Sequence, residues 1–212
     1  MKKQFLIGVL AVATALSASA SVTSYTGSPY LIPDGNPNGV SSSLTVSGEN
    51  ISLSSLTVTL SISGGYNGDL YAYLSYNGTL VTLLNRVGSG TTPFGYGDSG
   101  FNVTLDAGSP GIQTYQSGAY NLNGSGALTG TWGAAGNLGD FNTLDPNGTW
   151  TLFFADLSGG GGTSTVNGWS LNLTAVPEPV NVALGVFAVL LAGCAVMRSN
   201  RLKQWRNVLS KE

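Results

Sequence analysis

The sequence predicts an all-β fold, an antiparallel jelly-roll-like β-sandwich, set between two apolar terminal segments. Three observations carry this. Runs of alternating apolar and polar residues recur between glycine-containing turns, as half-buried strands require. The chain has 31 glycines and only 8% charged residues, and its middle is filled with Ser, Thr and Asn, a composition for turns and short strands. Outside the two apolar ends no segment keeps a helical period, and about eight strands can be counted.

The first apolar end reads as a signal peptide over residues 1–20. Lys2 and Lys3 form a positive start, Phe5 to Leu16 an apolar stretch, and Ala18-Ser19-Ala20 a cleavage site, so the mature chain begins at Ser21. Export through the Sec machinery follows. The stretch is too short to be the better membrane span. Residues 21–175 then form one domain, long enough to bury a sizeable core.

From Tyr30 the strands follow in order. Leu44 and Val46 alternate with Thr45 and Ser47, and Leu56, Val58, Leu60 and Ile62 with Thr57, Thr59 and Ser61. After Gly64-Gly65-Tyr66-Asn67-Gly68 comes a run from Asp69 to Ser75, then Asn77-Gly78, then Thr79 to Leu84. Asn-Gly between alternating runs predicts a type I′ hairpin, because both central residues need positive φ. Leu70, Ala72 and Leu74 are expected to face the core, with Tyr71 and Tyr73 opposite. Residues 87–100 read as a long surface loop and Phe101 to Leu105 as a short strand. Residues 106–144 hold many glycines and few apolar anchors, namely Ile112, Tyr115, Tyr120, Leu122, Leu128, Trp132 and Phe141. The last two strands alternate clearly, with Trp150, Leu152 and Phe154 in one, and Trp169, Leu171 and Leu173 in the other. Asp156 opens the glycine loop between them, which ends at Gly162.

Several of these segments resemble one family in order and spacing. They are Ile32-Pro33-Asp34 with Asn38-Gly39-Val40, Tyr66-Asn67-Gly68-Asp69-Leu70, and Asn77-Gly78-Thr79 with Leu83-Leu84. Pro146-Asn147-Gly148-Thr149-Trp150-Thr151-Leu152 with Asp156, and Gly168-Trp169-Ser170-Leu171, complete the set. The family is the P domain, or Homo B domain, that follows the catalytic domain in kexin- and furin-like proprotein convertases. The resemblance covers nearly all of residues 21–175 and implies a jelly-roll sandwich that stabilises and contacts partners. The chain departs from it at Tyr66-Asn67, where the family has a Thr-Tyr-type pair, and in its central region.

The chain has no histidine, so neither a Ser-His-Asp arrangement nor a zinc site of the usual His/Cys kind can be built from it. We therefore expect no enzymatic activity, although the family is associated with serine-type endopeptidases. The lone Cys194 lies in the apolar tail, leaving the domain without a disulfide, and reads as a small apolar residue there, with a lipidation or processing role the alternative. Between residues 21 and 175 Arg86 is the only basic residue against eight Asp and Glu, which leaves no footprint for nucleic acid. Carboxylates remain. Calcium takes six to eight oxygens, which Asp side chains and glycine-loop carbonyls can supply. Asp69 and Asp156 stand at strand ends, and Asp34 and Asp98 in loops, so these four are the candidate calcium ligands; the other reading of each is an Asx-turn or cap. Tyr66, Tyr71, Tyr73, Tyr76 and Tyr96 are candidates for a surface that stacks on exopolysaccharide, or simply for covering an outer face. Asn50, Asn77, Asn102, Asn123, Asn147 and Asn172 sit in N-x-S/T sequons and read as turn chemistry, with glycosylation the alternative.

The C-terminal segment has three parts over residues 176–206. Val176-Pro177-Glu178-Pro179 is followed by 18 residues from Val180 to Met197 whose one polar member is Asn181, and then by Arg198, Arg201, Lys203 and Arg206. The apolar run is at the short end of a membrane span, and the basic cluster places residues 207–212 in the cytoplasm. In this order the parts resemble a PEP-CTERM sorting signal. That resemblance implies a bacterial source and an exosortase-like membrane protease or transpeptidase as partner. The expected protein is a non-catalytic surface or extracellular-matrix module, exported, held in the membrane and then processed. The alternatives are a calcium-assisted carbohydrate-binding module and an accessory P domain of a partner serine endopeptidase.

Overall fold

The computed structural model describes residues 21–49, 51–177 and 179–209. The expected signal peptide, with Ala18 and Ala20, lies outside the described residues, as do Asn50 and Glu178. The chain divides into two compact units, the sandwich of Ala20–Val176 and a second unit that contains the C-terminal helix.

Ten strands build the sandwich: β1 (Ser21–Gly27), β2 (Tyr30–Ile32), β3 (Val40–Val46), β4 (Ile51–Ser63), β5 (Leu70–Tyr76), β6 (Thr79–Asn85), β7 (Phe101–Gly111), β8 (Leu128–Gly133), β9 (Gly148–Asp156) and β10 (Ser164–Pro177). One sheet has the order β1-β10-β4-β7-β8, with β2 also on β10, and the other the order β3-β9-β5-β6. Local alternation decides what each strand buries. Leu56, Val58, Leu60 and Ile62 of β4 turn inward, as do Leu70, Ala72 and Leu74 of β5 and Trp150, Leu152 and Phe154 of β9. Their partners on the other face are half-exposed, so each sheet has one dry side. Trp169 of β10 reaches across the layers, its indole N–H donating to Ser42 Oγ of β3 at 3.1 Å. The β5–β6 hairpin turns on Asn77 and Gly78, with φ of 48° and 78°, as a type I′ turn demands.

Three expectations need correction. The strands begin at Ser21, not Tyr30, because β1 pairs with β10 along its whole length. Its residues alternate only weakly, Val22 being exposed, and the strand owes its place to that neighbour. The sandwich is not wholly antiparallel, since β7 and β8 run parallel. Residues 112–127 connect them, a crossover of the dozen or more residues that parallel pairing needs. Residues 106–144 are also better ordered than their composition suggests, and β7 runs on to Gly111. Of the expected anchors, Ile112, Tyr115 and Phe141 enter the core from short 3₁₀ turns, joined there by Leu138, whereas Tyr120 and Leu122 stay exposed. Residues 87–100 contain no strand or helix, yet Val87 and Tyr96 are buried and tied by a backbone bond from Tyr96 N to Val87 O of 2.9 Å.

The second unit holds α1 (Pro179–Leu209), which contains the predicted apolar run and continues through Arg198, Arg201 and Arg206. Pro177 ends β10 and Pro179 opens α1, where a missing N–H does no harm. Within α1, Gly185–Leu202 is long and apolar enough to cross a membrane, and none of it is buried.

Candidate functional site

The sandwich ends in a set of loops around two carboxylates. Asp156 is the last residue of β9 and follows Trp150, Leu152 and Phe154 on the inward face, so period-two geometry drives its side chain into the core layer. It is fully buried, and Asp69 is 3% exposed. Asp69 closes a 3₁₀ turn, Asn67–Asp69, just before β5. The β5–β9 register sets Leu70 opposite Asp156, and Leu157 N donates to Asp69 O at 2.9 Å, which brings the two acids side by side.

Their partners are few. Asp156 Oδ1 accepts from Ser158 N at 3.1 Å, an Asx-turn that opens the glycine loop. Asp156 Oδ2 is buried and has no hydrogen-bond partner. The glycine loop crowds Asp69: a Cβ on Gly161 would stand 2.8 Å from Asp69 Oδ2. Arg86, held at φ 51°, gives its side-chain Nε–H to Gly68 O at 3.2 Å.

Both carboxyls are pushed above the usual range. For Asp69 the causes are burial and then the charge of Asp156, with Arg86 and the Ser158 hydroxyl opposing. For Asp156 burial again leads, the Ser158 and Gly35 amides and Arg86 oppose, and Asp34 adds to the rise.

The four expected calcium ligands separate. Asp69 and Asp156 come together, and Asp34 acts on both from an exposed loop position. Asp98 turns elsewhere: its carboxylate accepts from Tyr115 Oη and Gln116 Nε2, each at 2.7 Å. Among the described residues no three His, Cys, Asp or Glu side chains are grouped to hold a metal. Of the remaining acids, Asp106 and Asp145 accept from nearby backbone amides, as turn residues do, while Glu49 accepts from Tyr25 Oη and Asp140 from Asn137 Nδ2.

Asn67 is expected from the sequence only as part of the Tyr66-to-Leu70 segment, with no role of its own. It is fully buried, accepts from Gly100 N at 2.8 Å, and donates to Gly100 O at 3.1 Å and Tyr115 Oη at 3.3 Å. It thus latches the turn bearing Asp69 to the chain entering β7. Its place beside Gly68, in the segment where the chain departs from its resembled family, is the one signal that could have drawn attention to it.

The five tyrosines do not share a surface. Tyr76 and Tyr96 are buried, while Tyr71 and Tyr73 line the outer face of β5 with Phe153, whose ring stacks on Tyr73 at 4.7 Å. A separate cleft of about 380 Å³ is lined by Tyr120 and Trp132 with Asn121, Thr129 and Thr131.

Among protein families no model matches the chain, and no curated protein matches it. Two of the solved structures similar to it are the following. One is the serine protease of Aeromonas sobria, at 15% identity and a TM-score of 0.42 over 73% of this chain and 27% of that one. The other is the complex of that protease, ASP, with the chaperone ORF2, at 14% identity and a TM-score of 0.43 over 74% of this chain and 28% of that one. This chain therefore spans less than a third of the length of the chains it matches. The fold itself defines the class: a β-sandwich protein with, among the described residues, one apolar helix of membrane-span length.

Proposed function

We propose that this protein is a non-catalytic module of the cell envelope or extracellular matrix, a P-domain-like sandwich presented outside the membrane by its C-terminal segment. The observation that carries the reading is the exposure of α1. Phe187, Leu190 and Leu191 are 63%, 60% and 59% exposed, and a helix that is apolar all round finds its solvent in lipid. Arg198 and Arg201 follow on the same helix, which favours a cytoplasmic end and an exported sandwich. In sequence, Val176-Pro177-Glu178-Pro179 separates the sandwich from the apolar helix, the order found in the sorting signal that an exosortase-type enzyme would process. The absence of histidine from all 212 residues supports a binding or structural role over a proteolytic one.

Intact-mass analysis of the protein from washed membranes and from the cell surface tests this. A surface form ending near Pro177–Pro179 is the expected result. A full-length chain recovered only in the soluble fraction would overturn the reading.

A second reading, saccharide contact, has one specific observation in its favour. The cleft beside Tyr120 and Trp132 combines aromatic edges with Asn and Thr side chains, the mixture a sugar ring meets in a binding site. Retention on the host's exopolysaccharide that is lost in Tyr120→Ala would support it.

A further inference from the structure

The buried carboxylate pair at the loop end of the sandwich has no role in display on a membrane. Such a pair is unfavourable as it stands. Taking a carboxylate out of water is costly unless it is paired, and a second carboxylate beside it adds repulsion. Asp156 Oδ2 makes the imbalance specific, being fully buried and without a hydrogen-bond partner. The opposing cation, Arg86, already gives its Nε–H to Gly68 O.

We propose that Asp69 and Asp156 hold a calcium ion, with Asp156 Oδ2 and Asp69 Oδ2 as ligands beneath the glycine loop that follows β9. The donor set selects the metal. The side-chain donors there are all oxygens, two carboxylates and the Ser158 hydroxyl that faces Asp69, beside a glycine loop reading Ser158-Gly159-Gly160-Gly161-Gly162. Hard cations take such ligands, and calcium accepts six to eight of them in loose geometry, several from carbonyls and water. A pair of acids is therefore sufficient without a third. Magnesium demands a stricter octahedron, and zinc prefers the nitrogen and sulfur this site lacks. The glycines are part of the construction, since a Cβ on Gly161 would enter the space beside Asp69 Oδ2. Asp98, bonded to Tyr115 and Gln116, is excluded from the ligand set.

The inference is independent of the tail, so its failure would leave the envelope reading standing. It is tested on the full-length chain purified in detergent, melted in EDTA and in calcium chloride. Calcium at about a hundredfold over its Kd is expected to raise the melting midpoint by about 5–10 °C. Asp156→Asn and Asp69→Asn should lose that rise, and Asp140→Asn, exposed on a distant turn, should keep it. Equal midpoints for the wild type in EDTA and calcium would overturn the proposal, as would an undiminished rise in Asp156→Asn. If Asp156→Asn does not fold, equilibrium dialysis of the wild-type chain against calcium decides. A stoichiometric bound ion supports the site, and no retained ion overturns it.

Discussion

Tyr76 lies flat on Trp150, with ring centroids 4.0 Å apart and planes 6° from parallel, and its hydroxyl donates to Asp145 O at 2.6 Å and Asn147 O at 2.7 Å. The pair joins the end of β5 to the start of β9 and fastens the turn before β9. Tyr76→Phe keeps the stack and leaves the two carbonyls without this donor, which should lower stability by about 1 kcal/mol. Trp150→Ala also empties a fully buried site and should lower it by about 3–5 kcal/mol. Urea unfolding of the two variants measures both, and equal losses would refute this division of roles.

Asn67 should behave as a structural latch. Asn67→Ala strands Gly100 N–H in the interior and removes a partner of Tyr115, with an expected loss of roughly 2–3 kcal/mol. Asn67→Asp keeps the acceptor for Gly100 N and places a charge near Asp98, so it should not restore the lost stability. Denaturant midpoints of the two variants provide the comparison.

The Asp69–Asp156 pair gives a signed pH dependence. The groups facing it are Asp34, Arg86, the Ser158 hydroxyl and amide, and the Gly35 amide. A carboxyl raised in the folded state favours folding at acid pH, and that contribution is lost as pH rises through its folded pKa. In metal-free protein, Asp156→Asn should therefore gain on the wild type as pH rises above the ordinary carboxylate range. Urea midpoints of the two proteins across a pH series test this; a difference that stays constant with pH would refute it.

For α1, Leu190 and Leu191 lie within the apolar stretch Gly185–Leu202. Arginine near the centre of a membrane helix costs about 2.5–3.5 kcal/mol per residue. The double variant Leu190→Arg, Leu191→Arg should move the chain from the carbonate-resistant membrane pellet to the soluble fraction. Unchanged fractionation would argue against insertion of this helix.

Much of this protein was legible locally. The alternation in β4, β5, β9 and β10 named the inward residues correctly, because side-chain direction along a strand depends only on parity. The same parity put Asp156 on the inward face after Phe154, and Asn77-Gly78 specified its own turn through the φ values it tolerates. The apolar run after Pro179 likewise predicted a helix from length and composition alone.

Tertiary structure decided the rest, because it depends on contacts between residues far apart in the chain. Only the assembled sheets put β9 between β3 and β5, made β7 and β8 parallel, and gave the weakly patterned β1 its place on β10. Only they brought Asp69 to Asp156 while turning Asp98 toward Tyr115, and buried Tyr96. Parity states which way a carboxylate points. Whether it meets another carboxylate, a tyrosine or solvent depends on which strand is its neighbour, and that choice belongs to the whole core.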